Sequence, residues 1–383
     1  MIAGIESEAD EPWVRVQDML KMARLTSTRS GKRSKMQEAH DSFIFARYVF
    51  MVAIVAAIVL LTGLIITLGP MNISIADAYR AILDRFYPSQ FDVDLLTSRV
   101  VWNIRFPRVV AGILAGFGLG ICGCVMQAVL RNPLASPYTL GISSGANFGI
   151  SIALVLGISV VGGPYLLIGN AFLFAFLCSV FIIGLASIKG ANSESLILAG
   201  IVVNYFFGAM SQLLHYFADD EQLRAMSSWG MGSLSTFSWN RIFLILGIFA
   251  ACLFLLMLKS WDLNIMTSGD ETAKSIGVDA EHVRVYTMLI SSLLVATVVC
   301  FAGTIGFIGL VAPHMARMIL GGDHRFLIPA SGILGGAILI VADCIALNLI
   351  VPTVIPTGIM TSLIGVPFFV YLMLKRRKKE FWA

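Results

Sequence analysis

Arg105 and Arg108 flank Phe106-Pro107, three residues apart. Two guanidiniums one helical turn apart point the same way and can receive carboxylates as bidentate pairs. Pro107 suits the first turn of a helix. The dipole there favours anions, so electrostatics alone disfavours the two cations and gives their charge a role outside the helix; interfacial anchoring is the alternative reading. A second candidate is the run Gly269-Asp270-Glu271-Thr-Ala273-Lys274-Ser-Ile276-Gly277, mixed in charge and bounded by glycine, which reads as one or two short helices. A third is the stretch from Gln127 to Gly149, where Asn132, Pro133, Pro137, Gly141 and Gly145 break an apolar helix. Irregular backbone at membrane depth is shielded by protein or lines a cavity, which makes Gln127, Asn132, Pro133, Pro137, Gly141 and Gly145 candidates for a pathway.

Other chemistry is missing. The chain has no G-x-x-x-x-G-K-[ST] run, so it does not bind ATP through a P-loop. Its five histidines (His40, His215, His282, His314 and His324) are scattered, and no His, Cys, Asp or Glu cluster has metal-ligand spacing. The six cysteines all lie in apolar runs and read as small hydrophobes. Asp343 is the one plausible intramembrane acid. Ion-coupled carriers need several such groups, so the rival reading, an ion-coupled secondary transporter, has little to work with. A large neutral or chelated solute needs no such ligands.

These residues must be positioned by membrane-spanning elements. Of 383 residues, 57% are hydrophobic and only 13% charged, against roughly 25% charged in a soluble domain. Nucleic-acid binding and cytosolic catalysis are poor fits. Residues 48–68 run without a charge, long enough to cross roughly 30 Å of hydrocarbon. Nine more apolar stretches follow near 108–129, 139–160, 164–187, 195–216, 241–259, 285–302, 305–320, 328–346 and 358–374. The expected fold is an all-α, polytopic bundle of about ten transmembrane helices. With the N-terminus inside, inner segments hold 20 of the 27 Lys and Arg, which predicts an N-in, C-in membrane protein. Residues 1–46 read as a cytoplasmic polar and basic tail, with a possible surface helix over 12–23. Residues 47–375 form the transmembrane domain, and 376–383 a basic cytoplasmic end. Three loops are long: 69–107 and 217–240 outside, 260–284 inside. Gly112, Gly116 and Gly120, four apart, predict close helix packing.

Taken in order, Arg105-Phe-Pro-Arg108, Gly112, Gln127, Arg131-Asn-Pro-Leu-Ala135, Pro137 and Leu140-Gly141 resemble the FecCD permease family. Trp229-Gly-Met-Gly-Ser-Leu234, Leu263-Asn264 with Gly269–Gly277, Gly306-Phe-Ile-Gly-Leu-Val-Ala-Pro-His314, Asp323-His-Arg325, Ala342-Asp343 and the run from Ile364 to Leu374 extend the likeness over residues 48–375. These are membrane subunits of ABC importers for iron–siderophore complexes, haem and vitamin B12. The resemblance implies a type II ABC importer permease in the bacterial cytoplasmic (inner) membrane, itself not an enzyme and without a cofactor, since ATP binds partner subunits. It implies three protein partners: ATPase subunits, a periplasmic or lipid-anchored substrate-binding protein, and a second permease subunit, identical or paralogous. Membrane lipid surrounds the assembly. Arg105 and Arg108 inherit the docking of acidic knobs on the binding protein; Gly269, Asp270, Glu271, Ala273, Lys274, Ile276 and Gly277 inherit the coupling to the ATPase. An iron–siderophore complex is the expected cargo, with haem and cobalamin as alternatives. The sequence departs from the family pattern at Val354, commonly Glu, and at Leu347, an arginine in some members.

Overall fold

The computed structural model describes residue 41 and residues 44–69, 71, 73–88, 90–188 and 190–375. The surface helix expected over 12–23 and the basic end at 376–383 lie outside the described residues. Described regular structure is helical, apart from one bridge between Ile350 and Thr353. In chain order the helices are α1 (Ile44–Thr67), α2 (Ile75–Asp84), α3 (Leu95–Val129), α4 (Ile142–Leu156), α5 (Leu166–Ser187), α6 (Ser193–Phe217) and α7 (Asp220–Gly230). They continue with α8 (Trp239–Leu258), α9 (Ser260–Met266), α10 (Asp270–Ser275), α11 (Ala280–Ala302), α12 (Ile308–Leu320), α13 (His324–Asn348) and α14 (Thr357–Lys375).

Seven of these, α1, α3, α5, α6, α8, α11 and α13, are long and apolar enough to cross a membrane, and α4, α12 and α14 are shorter apolar helices. Each of the ten expected spans falls on one of them. By contacts, residues up to Ala53 form one unit and Ile54 onward another. In the first, Phe45, Tyr48, Val49 and Val52 are exposed apolar side chains. In the second, α3 is 78% buried over its apolar window and α11 72%, against 28% for α8. The core therefore sits on α3, α11 and α13, and the periphery turns apolar side chains outward, as lipid-facing helices do.

Glycine sets how closely the core helices approach. A methyl group on Gly116 would stand 2.3 Å from the Gly335 carbonyl oxygen, and one on Gly120 2.2 Å from that of Ser331, both on α13. At Gly123 the clash would be 1.8 Å, with the Gly309 oxygen of α12. The small-residue stripe is an interior packing face, as its spacing predicts.

One local expectation is corrected. Pro107 does not open a helix: α3 begins at Leu95, capped by Asp94, whose carboxylate accepts from the Thr97 N–H. The helix widens into a π-turn over Val101–Arg105 and continues through Pro107 to Val129. A proline inside a helix lacks a donor and crowds the carbonyl four residues before it; the wider turn immediately upstream makes room for the ring. The outer loop 217–240 also contains a helix. Asp219 and Gln222 cap α7 reciprocally, each side chain accepting from the other's backbone N–H.

Candidate functional site: two ends of one helix and a groove

Helix α3 carries candidate residues at both ends. At its upstream end the two arginines separate. Arg105 turns back on the chain and donates to the carbonyls of Ile66 and Met71. Arg108 makes a bidentate pair with Asp343 of α13, Nε to Oδ2 at 2.7 Å and Nη2 to Oδ1 at 2.9 Å. Thr357, the first residue of α14, donates to the same carboxylate at 2.6 Å. The side chains of Arg108 and Asp343 are only 14% and 6% exposed. A buried acid in an apolar helix is costly unless it is paired, and here the pairing joins α3, α13 and α14. The sequence singled out both residues but not their contact. Beside them lies a cavity of about 280 Å³ bordered by Arg105, Arg108, Asp343, Leu347 and Val354. Leu347 and Val354, where the resemblance implies charge, border one cavity with the two arginines.

At the downstream end the run 269–277 is folded as a short helix whose side chains divide. Ala273 is buried and Asp270 half-buried, whereas Glu271, Lys274, Ile276 and Gly277 are exposed. Gly269 has φ +113°, a conformation that favours glycine. Arg284, just inside α11, is 2% exposed. It donates to both carboxylate oxygens of Asp270 at 2.9 Å and to the carbonyls of Val129 (3.3 Å) and Ala191 (3.1 Å). Arg131 stands 3.9 Å from the same carboxylate. One buried guanidinium thus fixes α10 to the end of α3 and to the turn between α5 and α6. The sequence reading missed it; the signal was an arginine against the first apolar residues of a span.

Helix α9 is held separately. Asn264 Nδ2 donates to Asp323, and its Oδ1 accepts from the His324 backbone N–H at 2.7 Å. Arg325 chelates Asp323 and stacks over Trp261, 4.2 Å from the ring centroid. Burial opposes ionisation of Asp323, but hydrogen bonds from Arg325 and Asn264, with the Arg325 charge, bring its pKa down to about 2.

The broken-helix candidates pack as a joint. Gln127 is fully buried and donates to the Leu310 carbonyl of α12. Asn132 caps its own turn by accepting from the Leu134 N–H. The Pro137 ring abuts Gly309, Gly141 (φ +78°) opens α4, and Gly145 packs on the Phe174 carbonyl. Pro133 lies half-buried in the same turn. None of the six lines a groove of about 750 Å³; from this segment only Tyr138 does. Gly230, Thr304, Gly306, Gly358 and Ser362 complete its polar and small walls, with Met231 and apolar side chains of α14 beside them and no charged residue. The Tyr138 hydroxyl accepts from the Ile305 N–H, holding the bend between α11 and α12 at the groove.

The model of the FecCD transport family matches residues 50–375. The hemin transport system permease of Yersinia pestis is 38% identical over 73% of this chain and 85% of its own length. The iron(3+)-hydroxamate import permease FhuB of Bacillus subtilis is 35% identical over 84% of each chain. Other relatives import cobalamin or molybdate by name. A solved metal-chelate type ABC transporter in an inward-facing conformation superposes with a TM-score of 0.75 at 30% identity, covering 85% of this chain and 99% of its own. With these matches spread over the whole helical body, the chain belongs to the FecCD transport family, as a multi-pass membrane permease subunit of an ABC importer.

Proposed function

We propose that the cargo is an iron chelate, a ferric siderophore, and that the uncharged groove forms one wall of its route. The groove carries this reading. Its volume of about 750 Å³ falls in the range of sites for small organic molecules, roughly 300–1,000 Å³. Its lining offers weak, distributed contacts and no charged side chain to hold a bare metal ion. A chelate brings its own ligands and needs only a passage. The groove is open along one side, so a second permease subunit, identical or paralogous, would close it. Asp343, the acid an ion-coupled mechanism would need, is occupied by Arg108 and Thr357, which favours an external source of energy.

In this proposal ATPase subunits seat on the exposed Glu271, Lys274, Ile276 and Gly277. Asp270 and Ala273 face inward and transmit their movement through Arg284 to α3 and α11. A binding protein docks at the opposite end of α3. Arg105 presents charge there, while Arg108 acts through Asp343 as an anchor of α14, one wall of the groove. Haem or cobalamin is the second reading, supported by the hemin and cobalamin relatives. The test is a cargo panel: the chain assembled with its ATPase and binding protein in proteoliposomes, offered ferric hydroxamate, ferric citrate, hemin, cobalamin and molybdate. ATP-dependent accumulation of a ferric siderophore above the others is expected. Preference for hemin, cobalamin or molybdate would overturn the siderophore assignment.

A further inference from the structure

Upstream of Arg105 lies a feature that neither the groove nor the ion pairs use. Between α2 and the start of α3 is a pocket of about 320 Å³ bordered by Asp84, Arg85, Ser98, Arg99, Trp102 and Asn103. Arg85 and Arg99 are exposed, and no ion pair engages either among the described residues. Arg85 leans over the Trp102 ring, 5.8 Å from its centroid. With one aspartate against two arginines, the pocket is net positive.

Its surroundings are apolar. Phe86 meets the Trp102 ring edge-on and is 66% exposed, and Leu95 and Leu96, in the first turn of α3, are 76% and 60% exposed. Trp102 stacks on Trp239 at 4.7 Å, and the Trp239 indole N–H donates to the Trp102 carbonyl at 2.8 Å. Trp239 opens α8 and touches Phe243, which with Leu244 is exposed on that poorly buried helix. The pocket therefore sits where an outward-facing apolar helix meets a cluster of indoles, the arrangement of a membrane–water interface. A docking site for a protein carboxylate would carry a polar rim. Exposed Phe86, Leu95 and Leu96 on the same two helices and their turn as the two arginines instead match a molecule with an anionic head and hydrocarbon tails.

We propose that this pocket binds the phosphate-bearing headgroup of an anionic phospholipid. Arg85 and Arg99 take the phosphate oxygens, Ser98 and Asn103 meet the polar headgroup, and Phe86, Leu95 and Leu96 lie against the acyl chains. A lipid held there ties the elbow between α2 and α3 to the bilayer and steadies the turn that carries Arg105. The proposal is independent of the cargo.

The test is native mass spectrometry of the full-length chain in detergent while phosphatidylglycerol is titrated, with phosphatidylcholine and inorganic phosphate as separate arms. The wild type should retain one phosphatidylglycerol more tightly than the rest and more tightly than phosphatidylcholine. Arg85→Gln with Arg99→Gln should weaken that first binding at least about tenfold, and Arg85→Lys with Arg99→Lys should weaken it less. Arg224→Gln, on exposed α7 outside the pocket, should leave it unchanged. A monodisperse elution profile verifies that each variant is folded. Equal first affinities for wild type and the Gln pair overturn the proposal. So does displacement of the lipid by millimolar phosphate, which marks a free-anion site, or by an acidic binding protein, which marks a protein-docking site.

Discussion

Removing the charge of Asp343 should loosen the upstream end of the bundle and leave the downstream end intact. Asp343→Asn keeps the shape of the side chain but leaves Arg108 buried without a counter-charge, and the Thr357 hydroxyl loses a charged acceptor. Both partners are nearly enclosed, at 14% and 6% exposure, so solvent screening gives little relief. Breaking one side of such a pair costs about 3–5 kcal/mol, a factor of about 10²–10⁴ in the unfolding equilibrium. Arg108→Met should cost a similar amount. The double variant Arg108→Met with Asp343→Asn removes both charges together and should be far less damaging than the sum, with a coupling energy above about 2 kcal/mol. Denaturant-induced unfolding of the four purified forms in one detergent measures the cycle. Additive single effects would refute the pairing argument. So would an Arg108→Met protein of unchanged stability that has lost affinity for its binding protein, because Arg108 would then be a docking residue.

The glycine packing face predicts a sharp contrast. Gly123→Ala places a methyl group 1.8 Å from the Gly309 oxygen and should destabilise by about 3 kcal/mol or more; Gly184→Ala, with nothing within 4 Å, should stabilise α5 by about 0.5–1 kcal/mol, both read by thermal unfolding. Arg284→Met strips donors from Asp270, Val129 and Ala191 and should cost about 2–4 kcal/mol, discounted for the partial exposure of Asp270. In the assembled transporter the same change should uncouple ATP hydrolysis from uptake. The joint around Asp323 should withstand acid. Its carboxyl lies below the unfolded value near 3.9, so its stabilisation is present above that pH and is lost as pH falls towards about 2. The emission of Trp261, isolated by difference from Trp261→Phe, should hold from pH 8 to pH 5 and change only in strong acid.

Apolar length made seven spanning helices legible, because hydrocarbon thickness fixes how long a spanning helix must be, and it also marked the three shorter apolar helices α4, α12 and α14. The glycine stripe was legible for a similar reason: its spacing fixes one face of one helix. Pairings between distant helices were not. Arg108 and Asp343 are 235 residues apart, and nothing local to either names the other. The π-turn at Val101–Arg105 left no sequence trace beyond a proline that also suits a helix start, so the two arginines were assigned one direction and take two. The run from Gln127 to Gly145 was legible as broken but not as packed; which face of a turn meets a cavity depends on α12 and α14, far along the chain.

In the proposed function this chain is a gate moved by ATPases on other polypeptides. Proteoliposomes containing the chain, with and without its ATPase partner, should be loaded with ATP or placed under a proton or sodium gradient, and uptake of ferric siderophore supplied on the binding protein measured. Accumulation only with the ATPase and hydrolysable ATP is the predicted result. Accumulation by the chain alone on an ion gradient would contradict it.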